Sequence, residues 1–541
     1  MNVHTNHRGR IFARFLVVGL ALVSPSLAHV ANASVTSKAS ASGVDILAGQ
    51  NWQYSVDGGK TFGSTAPTLS PASGVAFTAR VEFQVDQPEP FVTLQLSHGM
   101  NPAWKNMVFR LNGQPITLPV AGMQYKTIPG IDARLLQTGK NVLQVEIPSV
   151  RAELKISEQP YPARPALLAL KPQDLRAEIN PVLGQFDAQH FTVMLTTNVP
   201  SRIVAVEAAG KKLAFEDRSS SAFLHRLRVE SCAGPATLVV QTAGHPESLL
   251  RLAISVPVYP QGGKMRLAVL GDSRTRPKDW VQVAAAAAKE KPQLVIFTGD
   301  TVSRGIYDWL WDSEFFSPAK ELFASTPLYA VIGNHEAGAP VLADYFDLPF
   351  AAEGEGNWAQ EIDGVLLIGV DTAVKDWSPA GVNAQWLEKT LAASKARFIF
   401  LSVHYPPYSS GPHGRLDKQG LPQEPTMRQA RQTIVPLLEK YRATAMFCGH
   451  DHDYERSELP DGLSIVIAGG AGAPQRPQVK DAQQQNPYSK VFFEELHYCL
   501  LEIDGQTCTM KSITPRGKVL DTRTWKARDA SPKAGILRPA A

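Results

Sequence analysis

The sequence predicts a multidomain protein in which all-β sandwich modules precede an α/β layered domain. Three observations lead to this prediction. The chain has 541 residues, which at about 150 residues per domain corresponds to about three or four domains. Short alternating apolar runs separated by Gly, Pro and Asn fill its first half. From residue 265 onward, continuous apolar strands alternate with helical patterns, which is typical of layered α/β sheets.

The first 33 residues are predicted to be an export signal. Three arginines precede the apolar stretch 15–23, which is shorter than the about 20 residues that a spanning helix needs. Small residues then form cleavage sites that end at Ala28 and Ala33. The alternative is an uncleaved membrane anchor. No later segment is long and apolar enough to span a membrane, so we expect a periplasmic or secreted protein without a stable membrane span after cleavage.

Two β modules are predicted next. Residues 44–158 contain an Asn112-Gly113 pair between alternating runs, which is a strong hairpin signal. The stretch 109–147 resembles jelly-roll modules of the galactose-binding type, although a β-sandwich that only packs against its neighbour is the alternative to sugar binding. After a Pro-rich linker, residues 166–258 have the size and strand spacing of an immunoglobulin- or fibronectin-like β-sandwich.

The segment 264–527 is predicted to be the α/β layered domain, and residues 528–541 a flexible tail. Its predicted strands lie at 265–270, 294–299, 328–333, 365–370, 397–403, 443–448 and 463–469. Its predicted helices lie at 277–290, 309–323, 384–396 and 427–442.

Five of these apolar strands run into residues that can bind metal ions. In chain order the residues are Asp272, Asp300, Asn334 followed by His335, His404, and His450 with His452. Ligands bind outside the carboxyl ends of strands in layered α/β sheets, and oxygen and imidazole donors suit Fe, Zn and Mn ions. The set is too large for one tetrahedral ion and fits two, with one aspartate bridging them. Each strand end taken alone is weak evidence, because Gly-Asp is usually a loop feature.

The ordered combination Gly-Asp, Gly-Asp, Gly-Asn-His-Glu, His and Gly-His-x-His resembles the calcineurin-like metallophosphoesterase superfamily. Within it, the chain looks most like the purple acid phosphatase branch. The motifs that carry the second resemblance are HYPPYSSG at 404–411, GHDHDYER at 449–456 and GGAGAP at 469–474. The resemblance covers about residues 166–527 and implies a βαββ-type sandwich that holds two metal ions. The candidates for these ions are Fe, Zn and Mn, and the sequence leaves the choice among them open.

The resemblance also implies how the ligands divide. It assigns the first metal to Asp272, Asp300 and His452, and the second to Asp300, Asn334, His404 and His450, with Asp300 bridging. His335 would protonate the leaving-group oxygen, a role that imidazole fills near neutral pH. The alternative for His335 is a structural role behind Asn334.

Two positions depart from the family pattern. Purple acid phosphatases carry a Tyr three residues after the second Asp, where this chain has Ser303. Other members carry a His two residues after the first Asp, where this chain has Arg274. The first metal therefore lacks one usual protein ligand. Arg274 could clamp a phosphate oxygen, and the alternative is a salt bridge to Asp300 or a surface charge. His413 is a candidate for the substrate pocket, with an ordinary loop histidine as the alternative.

The sequence thus predicts an exported phosphoesterase that hydrolyses phosphate monoesters by in-line attack of a metal-bridging hydroxide. A phosphodiesterase with the same metals is one alternative, because the substrate walls lie in loops such as 351–356 and 411–425. A non-enzymatic surface or carbohydrate-binding protein with a degenerate metal site is another. The 54 Lys and Arg nearly balance the 50 Asp and Glu, which argues against nucleic-acid binding. We expect a small phosphorylated substrate.

The cysteines predict no zinc knuckle, because none of the four belongs to a C-x-x-C pair. Cys499 and Cys508 flank a predicted turn at Asp504-Gly505. A disulfide between them is chemically allowed in an oxidising compartment. A tight two-residue hairpin would, however, place Leu501 rather than Cys499 opposite Cys508.

Overall fold

A computed structural model describes residues 43–64, 77–96, 107–147, 165–351, 356–373 and 376–528. The predicted export signal and all but the first residue of the predicted tail lie outside these ranges. Among the described residues, no helix has the length and apolar character that a membrane crossing requires.

Within the described residues of the N-terminal part, nine strands form two antiparallel sheets. They are β1 (Val44–Asp45), β2 (Trp52–Ser55), β3 (Phe77–Val85), β4 (Phe91–Gln95), β5 (Val108–Leu111), β6 (Gln114–Pro115), β7 (Thr127–Ile131), β8 (Gly139–Ile147) and β9 (Ala166–Leu170). The strand orders are β1-β9-β4-β7 and β2-β3-β8-β5-β6. The hairpin predicted at Asn112-Gly113 is confirmed, since both residues have positive φ (52° and 82°) and join β5 to β6.

Strand β9 differs from the sequence prediction in its sheet. The sequence places it at the start of the second β-sandwich, whereas in the structure it pairs with β1 and β4. Leu167 to Leu170 are all buried there, so the first sheet gains its central strand from beyond the linker. Such a long-range pairing leaves no trace in local sequence patterns.

The next eight strands also form two antiparallel sheets. They are β10 (Val182–Phe186), β11 (His190–Thr196), β12 (Ser201–Ala208), β13 (Lys211–Lys212), β14 (Phe215–Asp217), β15 (Leu224–Glu230), β16 (Gly234–Thr242) and β17 (Leu249–Val256). The orders are β10-β11-β15-β14 and β13-β12-β16-β17. Alternate residues of β15 are buried, which is the pattern of a strand with one face on the core. One of them is His225, whose Nε2 lies 2.8 Å from the Ser201 hydroxyl.

In the part of the C-terminal region that the structure describes, thirteen strands form two mixed sheets. They are β18 (Lys264–Leu270), β19 (Leu294–Phe297), β20 (Leu328–Ala330), β21 (Trp358–Ile362), β22 (Val365–Gly369), β23 (Phe398–Ser402), β24 (Ala445–Cys448), β25 (Tyr454–Glu458), β26 (Ser464–Ala468), β27 (Ser489–Phe493), β28 (Tyr498–Asp504), β29 (Thr507–Ile513) and β30 (Val519–Lys526). The orders are β20-β19-β18-β28-β29-β30 and β21-β22-β23-β24-β26-β25-β27. Strands β18 to β20 run parallel, as do β22, β23, β24 and β26.

The helices of the described residues are short apart from two. They are α1 (Pro277–Lys289), α2 (Asp308–Leu310), α3 (Lys320–Phe323), α4 (Leu342–Tyr345), α5 (Val382–Ala393), α6 (Pro425–Gln429), α7 (Val435–Lys440) and α8 (Ala482–Gln485). π-helical turns at Trp311–Phe316 and Ala430–Ile434 extend α2 and join α6 to α7. The single helix predicted over 309–323 is wrong, since it breaks between Phe316 and Lys320. Pro318 lies in the break, lacks an N–H and cannot continue a helix.

Layer packing explains why the C-terminal strands are apolar throughout. Phe400 of β23 faces the other sheet, where its ring centroid lies 6.1 Å from that of Trp525 in β30. Its neighbours Ile399 and Leu401 point the opposite way and share a core with α5 and α7. Every residue of β19, β22, β23, β24 and β26 is buried, because both faces of these strands are covered.

The β28–β29 hairpin corrects the predicted cysteine register. Its turn lies at Gly505-Gln506, so Cys508 pairs with Ile503, whereas Leu501 pairs with Met510. The slip of one residue relative to the predicted turn changes every cross-strand partner. All four cysteines lie in the described part of the chain and carry free thiols.

Candidate metal centre

Donor atoms of Asn334, His404 and His450 lie close to one another at the carboxyl ends of the parallel strands, and Asp300 lies beside His404. Asn334 Oδ1 lies 3.1 Å from His404 Nε2 and 3.1 Å from His450 Nδ1. His404 Nε2 lies 3.3 Å from both His450 Nδ1 and Asp300 Oδ1. Ligands held at about 2.0–2.1 Å in a tetrahedron around one ion lie about 3.3 Å apart. We call these four residues the second position. They have the donor set of a metal site, and Asn334, His404 and His450 also have its mutual spacing.

The remaining predicted ligands lie on the other side of Asp300. His452 Nε2 is 3.6 Å from Asp272 Oδ1. Asp272, Asp300 and His404 also each place a donor atom within 4.8 Å of the others. We call Asp272, Asp300 and His452 the first position. Asp300 faces both positions, as the prediction of a bridging carboxylate requires.

The Arg274 side chain lies inside the first position. Its Nε donates to Asp300 Oδ2 at 2.8 Å, and its Nη2 is 3.3 Å from His452 Nε2. Only 12% of the side chain is exposed. The salt bridge to Asp300 is the alternative that the sequence left open for Arg274. The first position offers only three protein donors, and the Arg274 guanidinium contacts two of them. It therefore fits a metal ion less well than the second position does.

Three of the predicted ligands have an unusual backbone conformation. Asp272, Asp300 and His450 have φ values of 59°, 55° and 73°, in the left-handed region that non-glycine residues rarely adopt. Such strain persists only where surrounding structure enforces it, and it is concentrated at functional sites. The neighbouring glycines, which have no Cβ, leave space for the carboxylates of these residues. A Cβ at Gly333 would overlap the Asp300 carboxylate, and one at Gly449 would overlap that of Asp272.

Glu336, the last residue of the Gly-Asn-His-Glu motif, ties two of the ligand loops together. Its buried carboxylate accepts the N–H groups of Asp300 at 2.9 Å, Val302 at 3.1 Å and Gly333 at 3.0 Å. The second and third strand ends therefore share one anchor. The sequence marks Glu336 as part of a motif but does not reveal this role.

Each imidazole at the site is oriented by its second nitrogen. His404 Nδ1 lies 2.9 Å from the Thr298 carbonyl, and His452 Nδ1 lies 2.9 Å from the Pro474 carbonyl. A carbonyl can only accept, so these Nδ1 atoms carry the hydrogen and leave Nε2 free toward the site. Outer contacts of this kind are a regular feature of metal-binding histidines.

His450 is oriented by a residue that the sequence analysis missed. Its Nε2 lies 2.8 Å from Glu424 Oε2, which leaves Nδ1 free toward Asn334. The other carboxylate oxygen of Glu424 lies 2.5 Å from His413 Nδ1. The His413 ring centroid is 4.0 Å from that of His450, so the predicted pocket histidine does lie beside the second position. No motif marks Glu424, which precedes α6 in a loop without a repeating pattern.

His335 lies at the edge of the site. Its Nδ1 donates to the Ser303 carbonyl at 2.5 Å, and its Nε2 is 3.9 Å from Asp300 Oδ2. Nε2 therefore faces the metal centre. Ser303 cannot replace the missing tyrosine, because its hydroxyl donates to the Glu314 carboxylate at 2.7 Å. Tyr307 does not replace it by any contact that the described residues show, since its ring stacks on that of Trp309.

Burial and neighbouring charges together shift the pKa values of the donor groups. It lowers the pKa of His450 and of His452 to about 3, so both imidazoles are neutral, which is the form that binds metal. Burial raises the pKa of Asp272 well above its usual value, and the charge of Asp300 adds to this effect. Burial also opposes ionisation of Asp300, but His404, His335 and Arg274 hold the pKa of its carboxyl below the usual value. A bound cation would stabilise both carboxylates.

Residues 265–454 match the calcineurin-like phosphoesterase family. This segment is a calcineurin-like phosphoesterase domain. The resemblance predicted from the strand-end motifs is thereby confirmed, and the matched residues contain all nine predicted site residues.

Relatives of this phosphoesterase domain have several activities in their names. The chain is 29% identical to a probable glycerophosphodiester phosphodiesterase, GpdQ, of Arcobacter nitrofigilis, over 30% of this chain and 58% of the relative. It is 30% identical to tartrate-resistant acid phosphatase type 5 of Sus scrofa, over 26% of this chain and 39% of the relative. The chain thus spans less than two thirds of the length of these relatives.

A solved structure extends the similarity of fold beyond the phosphoesterase domain. Purple acid phosphatase PPD1 from seeds of yellow lupin (Lupinus luteus) matches with a TM-score of 0.57 at 14% identity, over 86% of this chain and 96% of that chain. The shared fold therefore includes β-rich parts that precede residue 265.

Proposed function

We propose that this protein is an exported, metal-dependent phosphatase that hydrolyses phosphate monoesters and holds two metal ions. The observation that carries the proposal is the grouping of Asn334, His404 and His450 at ligand spacing, with Asp300 beside His404. An arrangement of a carboxylate, an amide and two neutral imidazoles suits Fe, Zn or Mn ions.

Metal ions at such a centre supply Lewis acidity and a nucleophile generated from water at neutral pH. The chain's own residues account for the remaining steps. His335 is proposed as the general acid, because its Nδ1 is held by Ser303 and its Nε2 faces the centre. In this role Nε2 carries the proton and passes it to the leaving-group oxygen. Arg274 and His413 are proposed to contact the phosphoryl oxygens.

A phosphodiesterase is the second candidate. The relative from Arcobacter nitrofigilis is named as a probable glycerophosphodiester phosphodiesterase, and one from Hordeum vulgare as a nucleotide pyrophosphatase/phosphodiesterase. The same metal centre would serve either class. Diesters differ in needing room for a second substituent on phosphorus, and the loops around the pocket determine that room.

Elemental analysis combined with a substrate panel tests the proposal. Purified protein is loaded with Zn²⁺, Mn²⁺ or Fe, dialysed, and assayed on matched phenyl phosphate monoesters and diesters. We expect bound metal and faster monoester turnover, both reduced in Asn334→Ala. The control is His190→Ala, which removes an imidazole in β11 that does not belong to the predicted site. Faster diester turnover would favour the second candidate. Metal-free, inactive protein would overturn both and favour a non-enzymatic surface protein.

Export is tested separately by the mass of the mature chain. We propose that residues 1–33 direct the protein to the periplasm or the medium. Mass spectrometry of protein from fractionated cells should show the loss of the first 28 or the first 33 residues. A full-length chain in the membrane fraction would favour the uncleaved anchor.

A further inference from the structure

We infer that Arg274 is an internal cation that competes with a metal ion for the first position, so that the two positions bind metal with unequal affinity. The inference rests on the proposed function, because it concerns the metal ions that the proposed enzyme would use. It adds the order in which metal ions fill the two positions and a physical reason for that order. The family resemblance supplies neither.

Geometry is the first argument. The Arg274 guanidinium contacts two of the three donors of the first position, through Nε to Asp300 Oδ2 and through Nη2 to His452 Nε2. These are the lone pairs that an ion at the first position would need. Asp300 Oδ1, in contrast, points to His404 at the second position. A metal ion can therefore enter the second position with Arg274 in place, but must displace it to enter the first.

Charge is the second argument. The two buried carboxylates of Asp272 and Asp300 already have the Arg274 cation beside them. An ion that enters the first position next to this fixed positive charge is repelled, and low-dielectric surroundings strengthen the repulsion. An ion at the second position would not have to displace the guanidinium and would gain the neutral donors Asn334 and His450.

The third argument is the missing ligand. The Ser303 hydroxyl, at the position where purple acid phosphatases carry tyrosine, is bound to Glu314. The first position thus offers three protein donors, against four at the second. Fewer donors and a resident guanidinium both weaken the first position. Once displaced, the guanidinium would be free to bind a phosphoryl oxygen, which agrees with its proposed substrate contact.

Zn²⁺ titration of the chelator-treated full-length protein against a competing chelator tests the inference. Wild type should bind one equivalent tightly and a second at least about tenfold more weakly. Arg274→Met, which keeps an unbranched apolar stem but removes the guanidinium, should tighten the second equivalent by about 10- to 100-fold, the equivalent of a hydrogen bond between charged groups. Asn334→Ala should remove the tight equivalent, and His452→Ala the weak one.

Three further variants keep the test specific. Arg274→Lys keeps the charge and should keep the second equivalent weak. Arg274→His adds an imidazole donor and should bring the two affinities together. Arg202→Met removes a cation of β12 whose guanidinium bonds Gln241, outside both positions, and should leave the inequality unchanged. Thermal unfolding identifies any variant that fails to fold. The variants that do fold then show whether Arg274 weakens metal binding at the first position.

The outcomes separate the two proposals. Two equivalents of equal affinity in wild type, or an unchanged second equivalent in both Arg274→Met and Arg274→His, would overturn the inference and leave the proposed function standing. Binding of no Zn²⁺, Mn²⁺ or Fe by wild type would overturn the proposed function and the inference with it.

Discussion

Replacing Glu424 by glutamine tests whether a residue outside the metal centre controls it. The carboxylate of Glu424 accepts from His450 Nε2 at 2.8 Å and from His413 Nδ1 at 2.5 Å. Glutamine keeps the shape but offers one acceptor oxygen and one NH₂ group. It can therefore satisfy only one of the two imidazoles, and without a charge.

The expected magnitude follows from the bond that is lost. A hydrogen bond to a charged group contributes about 1.5–3 kcal/mol, which corresponds to about 10- to 100-fold in a binding constant. Loss of outer partners of metal-binding histidines has effects of the same size. If the NH₂ group of glutamine faces His450, that imidazole must reverse its tautomer, and Nδ1 then carries a hydrogen toward Asn334. We therefore expect about 10- to 100-fold weaker metal binding at the second position.

The assay measures metal affinity by chelator competition, and kcat/KM on an aryl phosphate at saturating metal. Glu388→Gln is the matched control, because Glu388 forms an ion pair with Lys440 at the surface. Such a pair contributes about 0–1 kcal/mol to stability and should not alter metal binding. If Glu424→Gln and Glu388→Gln bind metal equally well, Glu424 does not position His450 and the reasoning is wrong.

Three further predictions concern catalysis, packing and pH. His335→Asn should lower kcat by about 10²–10⁴-fold on esters with poor leaving groups. The loss should be far smaller on p-nitrophenyl phosphate, and the metal content should not change. Equal losses of kcat on both substrates would exclude a proton-donor role. Gly333→Ala should lower the free energy of unfolding, measured in urea, by about 1–3 kcal/mol, because the added Cβ overpacks against the Asp300 carboxylate. The control Gly63→Ala has nothing within 4 Å of the added Cβ and should change the free energy of unfolding little. Burial lowers the pKa of His225 to about 4, so below its ordinary value of 6.5 the unfolded chain binds a proton that the folded chain does not. The free energy of unfolding should then fall by about 2 kcal/mol from pH 7 to pH 5 on account of this residue, and His225→Asn, compared with wild type, should lack that share of the slope.

The strands of the C-terminal part were predictable because burial on both faces makes them apolar throughout. Strands such as β19 and β23 contain only buried residues, and continuous apolar runs of this length are visible in the sequence. The single helix predicted over 309–323 was wrong. Its apolar pattern continues past Pro318, but the chain cannot form a continuous helix there.

The pairing of β9 with β1 and β4 was not predictable, and neither was the register of the β28–β29 hairpin. Both depend on contacts between segments that local patterns do not relate. A slip of one residue in a turn leaves the alternation of each strand unchanged while it changes every cross-strand partner.

By itself, the sequence predicted which residues bind metal and that they follow buried strands of an α/β layered domain, because residue type and strand pattern are local properties. Only the tertiary structure decided how those residues are used. Glu424 and Glu336 are distant in sequence from most of the groups they hold, and the Arg274 guanidinium lies between donors contributed by residues 300 and 452. Orientation and occupancy at a buried site depend on which charges and hydrogen-bonding groups the fold brings within about 3 Å, and no single segment of the chain contains that information.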